Sequence, residues 1–192
     1  SPSFKLNFSP FIFDSFSLLL FVFSLKNIKL NNYGNIAAAR MALSDRRGDA
    51  VIYLSGLDTG RHSLYQHGLP EQGNTLVETT TLDHFMESQD WPQIDLIKID
   101  VEGAEVAVLD GMCQFLLRSH QLKLVIELNP ALLQSAGVTP NDFLDKVRLL
   151  GFKMCAIDDS NGPTPLAEND YSSLADRLLS AESSVNLLCT KE

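Results

Sequence analysis

The chain has 192 residues, enough for one domain with a sizeable core. Hydrophobic and charged contents of 45% and 20% are those of an ordinary globular protein, neither disordered nor membrane-embedded throughout. A formal net charge of −9, with no cluster of lysines and arginines to set against it, excludes a general nucleic-acid binder.

Residues 1–25 are set apart by composition. The run FSPFIFDSFSLLLFVFSL is almost all Phe, Ser and Leu. A transmembrane helix needs about 20 apolar residues. The stretch from Phe11 to Leu25 is shorter and carries Asp14, Ser15, Ser17 and Ser24, so membrane association through 11–25 is not expected. A signal-peptide core and translation of a pyrimidine-rich stretch outside the true reading frame both fit so narrow a composition. Residues 26–192 read as one ordinary domain, and a cytoplasmic location is expected.

LKNIKLNN predicts a helix end running into an Asn-rich turn. A strand follows over Ile36–Met41, a turn over Ser44–Gly48, and a second strand over Asp49–Ser55. Gly56–Gly73 reads as loop, rich in Gly, Pro, His and Gln. TLVETTTLDHFMES predicts a strand to about Thr80 and then a short helix capped by Thr81 or Asp83. Further on come the strand LKLVIEL, a helix from Thr139 to Gly151 with Pro140 at its first position, and the strand FKMCAID. A polar loop to about Asp170 and a last strand, SVNLLCT, complete the order. Alternating strands and helices predict a three-layer α/β fold whose last two strands close one edge as an antiparallel pair.

The stretch IDLIKIDVEGAE, Ile94 to Glu105, carries the chemistry. In a strand, Leu96, Lys98 and Asp100 share one face, and Ile97, Ile99 and Val101 the other. Apolar residues on both faces up to Lys98 predict a central strand, with Lys98 near its end and within reach of Asp100. Helical spacing then takes over, with Ala104, Val108, Leu109, Met112, Phe115 and Leu116 on one stripe. Asp100, Glu102 and Glu105 surround the helix N-terminus, where the helix dipole favours negative charge. Charges therefore gather at the carboxyl end of a strand, where open α/β sheets bind ligands. Acidic residues at such a junction are also often no more than caps.

LKLVIELNP repeats the pattern, ending in Glu127 and Asn129 before Pro130. If the two strands are parallel neighbours, Lys98, Asp100, Glu102, Glu127 and Asn129 share one rim. Three chemistries fit: a carboxylate base toward a hydroxyl, oxygen ligation of a hard cation by Asp100, Glu127 and Asn129, or solvated charges without a task. The spacing matches no metal motif. His62 and His67 give no zinc signature, and the widely spaced Cys113, Cys155 and Cys189 read as buried thiols of a reducing compartment.

Taken together, ALSD with the following Gly48, TTLDHF, IDLIKIDVEGAEVAVLDGM and VIELNP, in that order, resemble the FkbM-type methyltransferases. KIDVEGAE, Lys98 to Glu105, is the most specific element, and the resemblance runs from about Leu25 to Pro130. It implies a class I methyltransferase-like, Rossmann-like three-layer sandwich. It also implies S-adenosyl-L-methionine as cofactor and O-methylation of a hydroxyl on a sugar or similar small acceptor. By position, Ala42, Leu43, Ser44 and Asp45 follow the strand whose end approaches the adenine. Asp100 and Glu102 lie beside the transferred methyl, and Glu127 and Asn129 shape the acceptor pocket. Asp100 is the preferred base, oriented by Lys98. His62, in the family-like loop DTGRHSLY (58–65), is the second candidate.

One departure stands out. Members of the family carry, upstream of this region, a strand with a glycine-rich turn and a second strand ending in an acidic residue. No G-x-G precedes Lys26, and the only acidic residue there is Asp14. The fold is therefore expected to be N-terminally incomplete or atypical. In the class I order that first strand pairs with IDLIKID, so the latter is expected to expose an apolar edge through which copies associate, unless Ser17–Phe23 serves as a surrogate strand. Two functions follow: a small-molecule O-methyltransferase, or a non-catalytic, truncated methyltransferase-like remnant or interaction protein.

Overall fold

The computed structural model describes residues 11–13, 18–55, 62–65, 71–158 and 162–191. In chain order these form β1 (Phe11–Phe13), α1 (Leu18–Leu30), β2 (Ala37–Ala39), β3 (Ala42–Leu43), β4 (Gly48–Ser55), β5 (Glu71–Thr80), α2 (Leu82–Ser88) and β6 (Leu96–Ile99). Then follow α3 (Glu105–Asp110), α4 (Cys113–Arg118), β7 (Lys123–Leu128), α5 (Pro130–Ser135), α6 (Pro140–Leu149), β8 (Lys153–Asp158), β9 (Gly162–Pro165), α7 (Tyr171–Ser180) and β10 (Val185–Thr190).

Alternation decides how the main sheet packs. Its order is β6-β7-β10-β8-β9, with β6 parallel to β7 and β10 antiparallel to both β7 and β8. The register aligns Ile99, Ile126, Leu187 and Ala156 in one row. Side chains on that face, including Ile99, Leu124, Ile126, Leu128, Leu187 and Cys189, are buried. Against them pack Met86 of α2, Leu109 of α3, Phe115 of α4, Leu133 of α5, Phe143 of α6 and Leu174 of α7. Each such side chain contributes roughly 1.5–3 kcal/mol when removed from water. The opposite row, Lys98, Val125, Leu188 and Cys155, is only half-buried or exposed.

Several expectations are corrected here. Among the described residues β6 is an outer strand, not a central one, and Leu96 is 57% exposed. Apolarity on both faces did not distinguish a covered strand from one whose second face lies open. Of the surrogate strand expected over Ser17–Phe23, the described part, Leu18–Phe23, is helical and belongs to α1. Its Leu-rich sequence, in which Val22 and Ile28 are the only β-branched residues, favours helix. No helix among the described residues is long and apolar enough to cross a membrane. Cys113 is exposed, at the first turn of α4, rather than buried. The strand expected over Ile36–Met41 is shortened to β2, Ala37–Ala39, and a separate β3 follows just past its expected end at Ala42–Leu43. β5 begins within the expected loop, at Glu71; His67 and residues 58–61 lie outside the described residues.

A smaller sheet has the order β3-β5-β4, with a β4–β5 antiparallel pair and β3 parallel to β5. Ala42, Ile52 and Val77 form its own small core. Ser44 leaves β3 with its N–H bonded to the Thr80 carbonyl at 2.9 Å, and this brings the strand end against the α3–α4 junction. There the single expected helix is interrupted. A Cβ on Gly111 would lie 2.0 Å from the Ser44 carbonyl oxygen, so only glycine admits this approach. Thr81 caps α2, accepting from His84 N–H at 3.1 Å. Asp83 instead reaches across to open α4, accepting from the N–H groups of Gln114 at 2.9 Å and Phe115 at 2.7 Å.

Two substitutions test this junction. Gly111→Ala should destabilise the chain by about 1–3 kcal/mol through overpacking, whereas Gly34→Ala, which meets open space, should not. Asp83→Ala should cost about 1–2 kcal/mol by leaving the start of α4 uncapped. Denaturant midpoints at constant slope measure both.

Candidate active site

The site begins where β6 ends. Asp100 carries the chain off the strand, and Glu102 and Gly103 then take left-handed conformations with φ of 51° and 98°. Glycine adopts this freely, but Glu102 does not, so the turn needs external support. Part of that support comes from Glu105, a side chain only 2% exposed. Its Oε1 accepts the N–H of Gly103 at 3.2 Å and of Val101 at 3.4 Å. Burial is the main cause of an upward shift in its carboxyl pKa; the N–H bonds oppose the shift and the Glu127 charge adds to it. Sequence reasoning placed Glu105 only as a charge near a helix start. The signal that would have found it is the position itself, three residues after a carboxylate that turns the chain.

Lys98 and Asp100, two apart on one strand face, meet as expected: Lys98 Nζ donates to Asp100 Oδ2 at 2.8 Å. Their side chains are 60% and 40% exposed, so the pair adds little to stability and acts mainly on orientation. The parallel register sets Ile99 beside Ile126, and thus brings Glu127 to the rim next to Asp100. Carboxylate oxygens of Asp100, Glu102 and Glu127 all lie within 4.8 Å of one another. Ser184 donates to Glu127 Oε1 at 2.5 Å, an anchor supplied from the residue before β10. Three carboxylate oxygens so grouped suit a cation, whether an organic onium group or a hard metal ion.

Asn129 has a structural task. Its Oδ1 caps α5 by accepting the Leu132 N–H at 3.3 Å, with Pro130 at the first helical position. The three grouped carboxylates therefore include Glu102, where the sequence suggested Asn129 as the third oxygen donor. Ala42 is buried in the small core and Leu43 packs on the main one. Ser44 is buried, its hydroxyl bonded to Asp45 Oδ1 at 3.0 Å, and Asp45 faces Arg46 at 3.9 Å. Asp45 also lines a shallow cleft of about 280 Å³ with Thr81, Asp83, His84 and Asp110.

The segment His62–Tyr65 lies over the acidic turn. Ser63, which the sequence did not single out, is 4% exposed and donates its hydroxyl to the Glu102 carbonyl at 2.6 Å. Half-buried Tyr65 has its phenol pKa raised, first by burial and then by the charges of Asp45 and Glu105. The phenol is thus near enough to both Asp45 and Glu105 to feel their charges. His62 is half-buried at the start of the same segment.

Known proteins give this geometry a context. Residues 17–154 match the model of the methyltransferase FkbM domain. A stretch of 109 residues is 28% identical to the hexuronic acid methyltransferase AglP of Haloferax volcanii, covering 57% of this chain and 41% of that protein. The crystal structure of methyltransferase FkbM from Methylobacillus flagellatus KT superposes with a TM-score of 0.50 over 93% of this chain and 36% of that one, at 12% identity. The chain thus spans well under half the length of either relative.

The buried Glu105 makes a pH prediction. A carboxyl whose folded-state pKa lies above its ordinary value of 4.5 keeps its proton longer when folded. It carries no penalty below about pH 4.5, and folding stability declines as pH rises through the interval up to the folded pKa. Glu105→Gln keeps an oxygen for both N–H groups and removes this slope. The variant should match the wild type near pH 4 and exceed it in denaturant midpoint at pH 7; the opposite order at pH 7 would contradict the assignment.

Proposed function

The chain belongs to the FkbM methyltransferase family, and on that footing we propose that it is an S-adenosylmethionine-dependent O-methyltransferase acting on a hydroxyl of a sugar or similar small molecule. The observation that carries this reading is the rim of three mutually close carboxylates at the end of β6, with one lysine paired to it. The hexuronic acid activity in the name of one relative supports a sugar acceptor.

The donor set suits the cofactor at its reacting end. S-adenosylmethionine supplies an electrophilic methyl group on a cationic sulfur, and an acidic rim with a net negative charge favours a cation. Asp100 and Glu102 would face that centre, and Ser44 and Asp45 the adenine end. Lys98 holds Asp100 through Oδ2. The acceptor's hydroxyl proton would then pass to Oδ1, with His62 the other candidate base. Glu127, fixed by Ser184, is placed to accept hydrogen bonds from neighbouring hydroxyls of a polyol. Orientation by such contacts supplies several kcal/mol of barrier reduction, on the order of what proximity alone gives.

A second reading, a methyltransferase-like protein without catalysis, is favoured by one observation. Among the described residues β6 is unpaired on its outer side, which is where the class I order places the strand bearing the glycine-rich cradle. Under it, the β6 edge would serve association with another chain. Calorimetric titration with S-adenosylhomocysteine separates the two. The first reading expects micromolar binding, about −8 kcal/mol, weakened at least tenfold by Asp100→Ala. A folded chain that takes up none would favour the second.

A further inference from the structure

The Glu102–Gly103 turn has a second support, outside the strand–turn–helix unit. Ser63 sits 39 residues upstream and is held on every side. Its carbonyl accepts the Tyr53 N–H at 2.8 Å and its N–H donates to the Tyr53 carbonyl at 3.2 Å, a single antiparallel bridge to β4. Its hydroxyl donates to the Glu102 carbonyl at 2.6 Å and accepts the Tyr65 N–H at 3.1 Å. One buried residue therefore joins three parts: its backbone bonds the β4 hairpin, and its hydroxyl bonds Tyr65 of its own segment and the left-handed residue of the acidic turn.

This joint does work that the core does not. Glu105 collects N–H groups from the inner side of the turn. Ser63 bonds the carbonyl of Glu102 itself, the residue whose φ of 51° a non-glycine side chain adopts only under constraint. The plane of that peptide fixes where the Glu102 side chain leaves the backbone, and with it the grouping of Asp100, Glu102 and Glu127. We infer that Ser63 is a positioning residue of the active site: its hydroxyl locks the Glu102–Gly103 turn and so sets the direction of the rim carboxylates. The inference rests on the methyltransferase reading for its meaning, but the lock itself is a property of the folded chain. Alanine would leave the half-buried Glu102 carbonyl and Tyr65 N–H without this partner, and threonine keeps the hydroxyl.

The test uses the full chain as wild type, Ser63→Ala and Ser63→Thr, with Ser63→Cys as a same-sized weak donor should the alanine variant fail to fold. Backbone amide exchange and side-chain carboxyl carbon shifts are read by NMR at one pH. The alanine or cysteine variant should exchange the Gly103 and Tyr65 amides about tenfold faster, the scale of one lost hydrogen bond. It should also displace the Asp100 and Glu102 carboxyl signals while the Ile126 amide of β7 stays as in the wild type. Threonine should restore both. Unchanged carboxyl signals, equal losses in the alanine and threonine variants, or faster exchange throughout β7 would overturn the inference. None of these readouts needs a ligand. A chain that fails to bind S-adenosylhomocysteine therefore sinks the functional reading alone, and unmoved carboxyl signals sink the positioning role alone.

Discussion

The turn from β6 into α3 is the constraint on which the rest of the site depends. A strand buried on one face must hand over to a helix within five residues, and the N–H groups released at the junction cannot all reach water. Glu105 takes those of Val101 and Gly103 while being almost wholly buried. A carboxylate in that place is costly to desolvate and valuable once hydrogen-bonded, which explains an upward pKa shift restrained by its own N–H partners. With the turn fixed this way, Asp100 and Glu102 are directed outward to the rim.

The neighbouring elements act on the same few residues. β7 contributes Glu127 through register, since a slip of one residue would send that side chain into the helical layer and bring Ile126 or Leu128 to the rim. β10 contributes the anchoring Ser184 just before it begins. At the far end of α3, Gly111 lets the Ser44 carbonyl approach, which ties the β3 corner to the same helix. The candidate cofactor corner is thus tied, through Gly111, to the helix that follows the acidic turn.

Much of this was legible in the sequence, for physical reasons that differ by element. β7 alternates Leu124, Ile126 and Leu128 with Val125 and Glu127, and α6 has Thr139 and Pro140 at its start, so both could be read from pattern and caps. The pairing of Lys98 with Asp100 followed from strand periodicity. α5 is hidden because Pro130 both stops a strand and stands as the first residue of a helix capped by Asn129. α7 has Tyr171, Leu174, Ala175 and Leu178 at helical spacing, in a stretch between the polar loop and the last strand to which the pattern assigns no element. Ser63 was beyond such reading, since a serine in a polar loop gives no sign of a carbonyl 39 residues away.

Helix capping alone does not explain where the carboxylates of the acidic stretch go. The backbone N–H groups of Val101 and Gly103 go to Glu105, and that of Ala104 to the Val101 carbonyl. Asp100 is engaged by Lys98, and Glu127 by a serine hydroxyl, neither of which is a helix end. Holding three carboxylates within 4.8 Å is unfavourable by itself. Like charges some 5 Å apart repel by roughly 1 kcal/mol per pair in water and about 3 kcal/mol at the effective dielectric of a protein surface. One lysine, 60% exposed, offsets only part of that repulsion. A fold under no demand at this rim would lose nothing by dispersing the charges. Their concentration, on a turn held from both sides, is what the proposed cationic cofactor would answer, by binding there and returning the repulsion as affinity.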